Sequence, residues 1–331
     1  MVGGVDESAN GQWLVCPQTV SLIERLDRVL PDLAAAEDPH LQQLTGYLVS
    51  RSGKRLRPAL LFLAAEFGDY DEETLVRAGA ALEVIHIASL YHDDVMDRAP
   101  ARRNHVSANM RWGNASATLA GTFLFARASM LMSALGDELN RLASQASSTL
   151  CSGQLKEVEN AYNQELGDDE HLDILRRKTA TLFELPCRLG ALLSHASALG
   201  ADSLSRYGLH LGLSFQLADD ALDLIGDAKR LGKATGTDLR EGVYSLPVLW
   251  ALRQQNGAGA WLRERLRKAR LSSEEEQEVV ARVRESGGVE AAMAIARREA
   301  EGAKLALREL PNGPARLSLS RLADFSISRH T

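Results

Sequence analysis

The sequence predicts an all-α protein, and three observations carry that reading. Apolar residues recur at steps of three and four, as in Leu22, Leu26, Val29 and Leu33, or Leu75, Ala78, Leu82 and Ile85. That is the period of a helix with one buried face. Runs alternating every second residue between hairpin turns are missing. Val, Ile and Thr, which favour strands, are sparse beside Leu and Ala. With 331 residues and 45% hydrophobic side chains, the chain can fill a large core. It is expected to form one domain over 1–331, with 1–12 a flexible lead.

Breaks in the pattern divide the helices. Asp38-Pro39 and Ser52-Gly53 bracket a helix over residues 40–50, and Pro58 suits the first turn of the next. A turn over 69–72 precedes a helix that begins near Leu75 and ends before Pro100. Gly167-Asp168-Asp169 and the stretch 226–242 are polar, glycine-bearing connections. Ser273 with Glu276 three residues on forms a capping box ahead of Val279, Val280 and Val283. Gly287-Gly288 stops that helix, and Pro311 to Pro314 sets off a last amphipathic segment over 315–325. Residues 82–91 and 209–224 are apolar on nearly every side, as expected of helices inside a bundle.

Composition excludes several classes of function. A net charge of −6 argues against nucleic acid as a partner, because phosphate backbones call for a basic surface. Cys16, Cys151 and Cys187 are too scattered for a disulfide framework or a zinc cluster, and suit a reducing compartment. The first ten residues lack the basic and apolar regions of a signal peptide. No apolar run approaches the roughly 20 residues of a spanning helix, so the expectation is a soluble, cytoplasmic protein without a transmembrane segment.

The chemistry lies in two carboxylate triplets, each following one of the apolar helices. Asp93, Asp94 and Asp97 form one D-D-x-x-D, and Asp219, Asp220 and Asp223 form the other. Residues i and i+4 share a helical face, so Asp93 lies with Asp97 and Asp219 with Asp223. Asp is a poor helix former, so propensity does not explain its placement. One such triplet can be a solvated face. Two, each beside an apolar helix, call for compensating cations. Hard divalent ions meet that need, and Mg²⁺ takes one or two carboxylates and completes its shell with water and phosphate.

Basic residues lie near in sequence. Lys54, Arg55 and Arg57 follow Gly53, Arg102-Arg103 follow the first triplet, Lys178-Thr179 follow Arg176-Arg177, and Lys233 sits after the second triplet. Acidic triplets beside cation clusters suit a polyanion bridged by metal on one face and clamped by guanidinium on the other. Diphosphate is such a ligand. The glycine-rich phosphate loops of other folds are missing. His92 abuts Asp93 but reads as a packed or hydrogen-bonded side chain, since Mg²⁺ prefers oxygen. His105, His171, His195, His210 and His330 show no ligand spacing and read as structural or exposed.

Two D-D-x-x-D motifs, G-K-R-x-R-P from Gly53, R-R after the first triplet, K-T at Lys178 and F-Q at Phe215-Gln216 together resemble the trans-isoprenyl diphosphate synthases, or polyprenyl synthetases. The likeness runs over about 53–247. It implies a single large helical bundle of the isoprenoid synthase type with a central active-site cavity, working as a Mg²⁺-dependent prenyltransferase. By position it implies Asp93, Asp97 and Asp219 as principal metal ligands. Asp94, Asp220 and Asp223 then complete the motifs through waters or bonds to those ligands, and Asp238 is an outlying acid. Gly53, Lys54, Arg57, His86 and Arg103 fall where the family binds isopentenyl diphosphate. Arg102, Lys178, Thr179, Gln216 and Lys233 fall where it binds the allylic diphosphate. The likeness also implies a homodimer, and leaves room for transient membrane contact on product release.

Three positions depart from the family pattern: Asn104 after Arg103, Thr122 after Gly121, and Val243 where a loop lysine is usual. None is a metal ligand, so activity is expected. In this family a bulky aromatic four or five residues before the first triplet shortens the product. Here those positions are Ser89 and Ala88, with Ile85, Val84 and Ala81 deeper. The expectation is an all-trans product of C30 or longer, resembling actinobacterial long-chain synthases through the stretch Arg98 to Arg103. The alternative is a C20 geranylgeranyl diphosphate synthase, with Phe123, Phe125 or Met130 closing the tunnel. A terpene cyclase would leave the second triplet unexplained, and a non-catalytic subunit would not need both intact.

Overall fold

A computed structural model describes residues 13–51, 53–102, 105–225, 236–255, 257–267 and 271–328. The expected flexible lead over 1–12 lies outside them. Among the described residues the regular structure is helical apart from one two-stranded antiparallel ladder. The helices used below are α1 (Pro17–Leu33), α2 (Pro39–Val49), α3 (Leu56–Ala65) and α4 (Glu72–Met96). The ladder, β1 (Ala101–Arg102) with β2 (His105–Val106), follows, then α5 (Ala108–Trp112), α6 (Asn114–Leu135) and α7 (Asp137–Glu159). Next come α8 (Asp168–Leu175), a π-helical turn over Arg176–Ala180, α9 (Thr181–Leu193) and α10 (Ala198–Ile225).

The chain packs as two compact units. The first comprises Met1–Ser147, Leu182–Gly208 and Ala306–Leu322, the second Ser148–Thr181, Leu209–Leu305 and Ala323–Thr331. The divisions after Ser147, Gly208 and Leu322 fall inside continuous helices.

In the first unit α4 is the central element. Leu75, Ala78, Leu82 and Ile85 are all buried, as their spacing predicts. Gly79 lets α1 and α3 approach: a Cβ there would lie 2.8 Å from the Phe62 ring and 2.9 Å from Leu26. On α1 the expected stripe shifts by one, since Leu22, Leu26 and Leu30 are buried while Val29 is exposed. The helix starts follow local chemistry. Pro17 and Pro39 open α1 and α2, while the Asp38 and Asp71 carboxylates accept from Leu41 N and Thr74 N at 2.8 Å.

The second unit has its own core, where Ile174, Leu217, Ala221 and Leu224 meet Val248, Leu249, Val279, Val283, Ala292 and Ala296. The capping box is displaced by one residue from expectation. Ser272, not Ser273, caps the helix Ser273–Glu285, and Glu275 completes the reciprocal pair.

Two helices, α4 and α6, are long and apolar enough to cross a membrane by length and composition, which contiguous apolar runs had not suggested. Most of α4 is buried within the protein, whereas only 28% of the apolar window of α6 is.

Candidate active site

Both triplets occupy the last turns of their helices. Helix α4 runs out at Met96 with Asp97 as its C-cap, and α10 ends two residues after Asp223. Neither has a basic residue in its last turn. A helix C-terminus carries about half a negative charge, so carboxylates there are repelled by the macrodipole by about 0.3–1 kcal/mol each. A bound cation reverses that sign.

The two triplets divide their carboxylates in the same way. Asp94 and Asp220 are buried, whereas Asp93, Asp97, Asp219 and Asp223 are half-exposed. Asp94 Oδ1 accepts from Arg102 Nε at 2.7 Å, with Arg102 Nη2 at 2.6 Å. Arg102 stands on β1, so the ladder that sequence reading missed brings this cation back to the triplet. Asp220 Oδ1 accepts from Gln216 Nε2 at 2.8 Å, and Thr179 Oγ1 donates to Gln216 Oε1 at 2.9 Å. Motifs 37 residues apart in sequence thus form one hydrogen-bonded chain within the second unit. Burial, and then the charge of Asp238, push the Asp220 carboxyl well above the usual carboxylate range.

Lys178 lies in the π-helical turn and pairs with Glu157 of α7. Gly153 permits that approach, since a Cβ there would sit 2.6 Å from Lys178 N. Asp173 accepts from Lys156 Nζ and Arg177 Nε, both at 2.8 Å, and those bonds hold it below the usual carboxylate range. His171 is buried with Nε2 3.8 Å from Asp220 Oδ2, and burial lowers its pKa to about 4. Asp238 N donates to Asp223 Oδ2 at 3.3 Å.

In the first unit Lys54 is exposed beside Gly53, and Arg57 is half-buried with its guanidinium 5.3 Å from the Phe183 ring centre. His86 is half-exposed on α4. Ala88 and Ser89 are buried on the same helix, and Ser89 Oγ donates to the His86 carbonyl at 2.8 Å. His92 is hydrogen-bond partner to Thr118 O at 3.1 Å and packs against Phe125, so it is tied into the protein as its sequence reading expects. Arg103, Asn104 and Lys233 lie outside the described residues.

Among the described residues no three His, Cys, Asp or Glu side chains converge as a ready-made metal cage. The donor set is nonetheless all oxygen, half-exposed and in pairs. That suits Mg²⁺, which takes few protein carboxylates and keeps positions for water and phosphate.

Sequence reading did not single out Glu157, Glu83 or the separate role of Arg55. Arg55 Nε donates to Asp27 Oδ1 and Nη1 to Glu83 Oε1, both at 2.7 Å. An acid 28 residues away along the chain leaves no local pattern to find it by.

An all-α protein with two such triplets defines an enzyme of the isoprenoid synthase fold. Residues 38–283 match the family model "Polyprenyl synthetase", and the chain belongs to that family. It is 36% identical to the nonaprenyl diphosphate synthase of Mycobacterium tuberculosis, over 93% of this chain and 92% of that one. It is 34% identical to the geranylgeranyl diphosphate synthase of Methanosarcina mazei, over 92% and 93%. Among solved structures it resembles the Caulobacter crescentus polyprenyl synthase complexed with calcium and isoprenyl diphosphate. That likeness has a TM-score of 0.91 and 32% identity over 100% of this chain and 99% of the other.

Proposed function

We propose that the two units work as one catalytic domain, which joins isopentenyl diphosphate to an allylic diphosphate and repeats the step to an all-trans product of C30 or longer. The matching division of both triplets into one buried and two half-exposed carboxylates carries the reading of a diphosphate site. Asp93, Asp97 and Asp219 would hold Mg²⁺, with half-exposed Asp223 serving through water and Asp94 and Asp220 braced behind by Arg102 and Gln216. When bound, Mg²⁺ supplies Lewis acidity that favours loss of diphosphate from the allylic carbon.

The protein's own groups bind and orient. Lys54, Arg57, His86 and Arg103 hold isopentenyl diphosphate so that its double bond faces the allylic carbon, the positioning that makes the step effectively unimolecular. Arg102, Lys178, Thr179, Gln216 and Lys233 serve the allylic diphosphate. The carbon–oxygen bond breaks first, the isopentenyl double bond then adds to the allylic cation, and the departed diphosphate takes the proton released when the new double bond closes. Incorporation of labelled isopentenyl diphosphate into an allylic primer tests this, and no Mg²⁺-dependent incorporation would sink it.

Small residues at Ala88 and Ser89, with the 36% identical nonaprenyl synthase, support the long product. The 34% identical geranylgeranyl synthase supports a C20 product as second reading. Helix α6 leaves Leu119 and Met130 more than 60% exposed, an apolar face suited to a second copy and so to a homodimer. A monomer-sized species in analytical ultracentrifugation would overturn the dimer. A cytoplasmic setting, with transient membrane contact when product leaves, completes the proposal.

A further inference from the structure

Three cations sit in the segment 54–57, and one of them behaves unlike its neighbours. Lys54 is exposed and Arg57 half-buried, whereas Arg55 is only 6% exposed. Its backbone has φ +45° and ψ +35°, the left-handed region. A residue with a Cβ is strained there and stays only where its surroundings over-determine it. Glycine would take that conformation without strain, so the side chain has a reason to be present.

That reason is its pair of anchors. Nε donates to Asp27 on α1 and Nη1 to Glu83 on α4, each at 2.7 Å, and Glu83 is itself 2% exposed. Only a guanidinium can reach two carboxylates on separate helices through two differently placed N–H groups, and a lysine ammonium cannot reproduce that fork. Glu83 lies three residues before His86, on the same face of α4. Arg55 therefore ties the backbone between Lys54 and Arg57 to the helix face that carries His86. A buried ion pair is weak evidence for stability, since apolar residues of like volume hold a core as well. What apolar residues would not supply is this register.

We infer that Arg55 is a positioning residue for the isopentenyl diphosphate subsite: anchored by Glu83 and Asp27, it fixes Lys54 and Arg57 relative to His86. The inference rests on the function proposed above and adds to it a residue that touches no substrate. Its signature is selectivity. Loss of Arg55 should weaken one substrate and spare the other, because Thr179, Gln216 and Lys178 are held by separate contacts.

The test measures KM for each substrate, kcat and thermal unfolding on the full chain with Mg²⁺. Arg55→Lys should raise KM for isopentenyl diphosphate about ten-fold and leave that for the allylic primer within about two-fold. The double variant Arg55→Met with Glu83→Leu replaces the pair by apolar groups. It should unfold near the wild-type temperature yet keep the raised KM. Glu83→Gln, which keeps Arg55 and an acceptor for Nη1, should retain most of the affinity. Equal changes in both KM values that follow the unfolding temperature would overturn the inference, as would an unchanged KM in a folded variant. Calorimetric titration of isopentenyl diphosphate separates the two claims. Weaker binding by the variants with an inactive wild type would uphold Arg55 and defeat the synthase reading, whereas a wild type that does not bind would defeat both.

Discussion

Asp94 shows how one residue of a motif can turn inward while its neighbours face out. Its carboxylate is buried against Arg102, so the triplet presents Asp93 and Asp97 outward and keeps Asp94 as a brace. Removing the cation leaves a buried charge without it, which costs several kcal/mol in comparable pairs. Arg102→Leu should lower stability by about 3 kcal/mol in urea unfolding. Adding Asp94→Leu should return much of that loss. A single variant as stable as wild type would show that Arg102 does not brace the triplet. His171 makes the matching case for the second triplet. Unfolded, it takes up a proton below about pH 6.5. In the fold its pKa is about 4, because burial disfavours the charged ring. Between those values the unfolded chain binds more protons, so stability rises with pH across that window. The accumulated loss is about 3 kcal/mol below pH 4. Stability of the metal-free protein should therefore climb more steeply from pH 4 to 6.5 in wild type than in His171→Gln. Parallel curves would refute the burial effect. The sequence reading treated His171 as structural, and nothing at its position announced Asp220, which is 49 residues on.

Helices were more legible than their joins. Apolar spacing predicts α4 and its buried face because one helix supplies both the period and the packing surface. The one-residue slips, at Ser272 and on α1, arise where two adjacent candidates satisfy the same local rule and only tertiary packing chooses. The ladder pairing 101–102 with 105–106 was hidden because two residues per strand leave no alternation to read. Close helix contacts were hidden as well. Gly190 of α9 lies so near α3 that a Cβ would stand 2.4 Å from the Leu61 carbonyl and 2.7 Å from Ala64 Cβ. Backbone cannot swing aside as a side chain can, so Gly190→Ala should overpack the seam and cost about 1–3 kcal/mol. Chemical denaturation would read that loss. No change in midpoint would mean that the two helices can part without penalty.

At the scale of the molecule, each unit carries one triplet and one set of cations, and each holds its carboxylates at a helix C-terminus. That arrangement was readable as a pair of motifs, but the bracing behind them was not, because Arg102 reaches Asp94, and Thr179 reaches the Gln216 that bonds Asp220, only through folding. Product length is the property that belongs to the whole. Helix α4 carries the first triplet at its end, and under the proposed function a chain growing from there along its axis would pass a new turn every 5.4 Å or so. Ala88 is fully buried one turn back, and its carbonyl faces Gly121 of α6, where a Cβ would come within 3.1 Å. The His92 ring comes closer still to that position, at 2.6 Å, so Gly121 is the small residue that lets the two helices approach here. Phe125 packs against His92, beside the triplet itself, and with Phe123 and Met130 it is the alternative stop for a growing chain. Ala88→Phe adds a ring in place of a fully buried methyl, and should shift the products to C20 or shorter in chromatography of the extracted chains. Overpacking of about 1–3 kcal/mol is expected alongside, so product distribution rather than rate is the decisive readout. An unchanged distribution in a folded, active variant would show that the chain grows past some other face of α4.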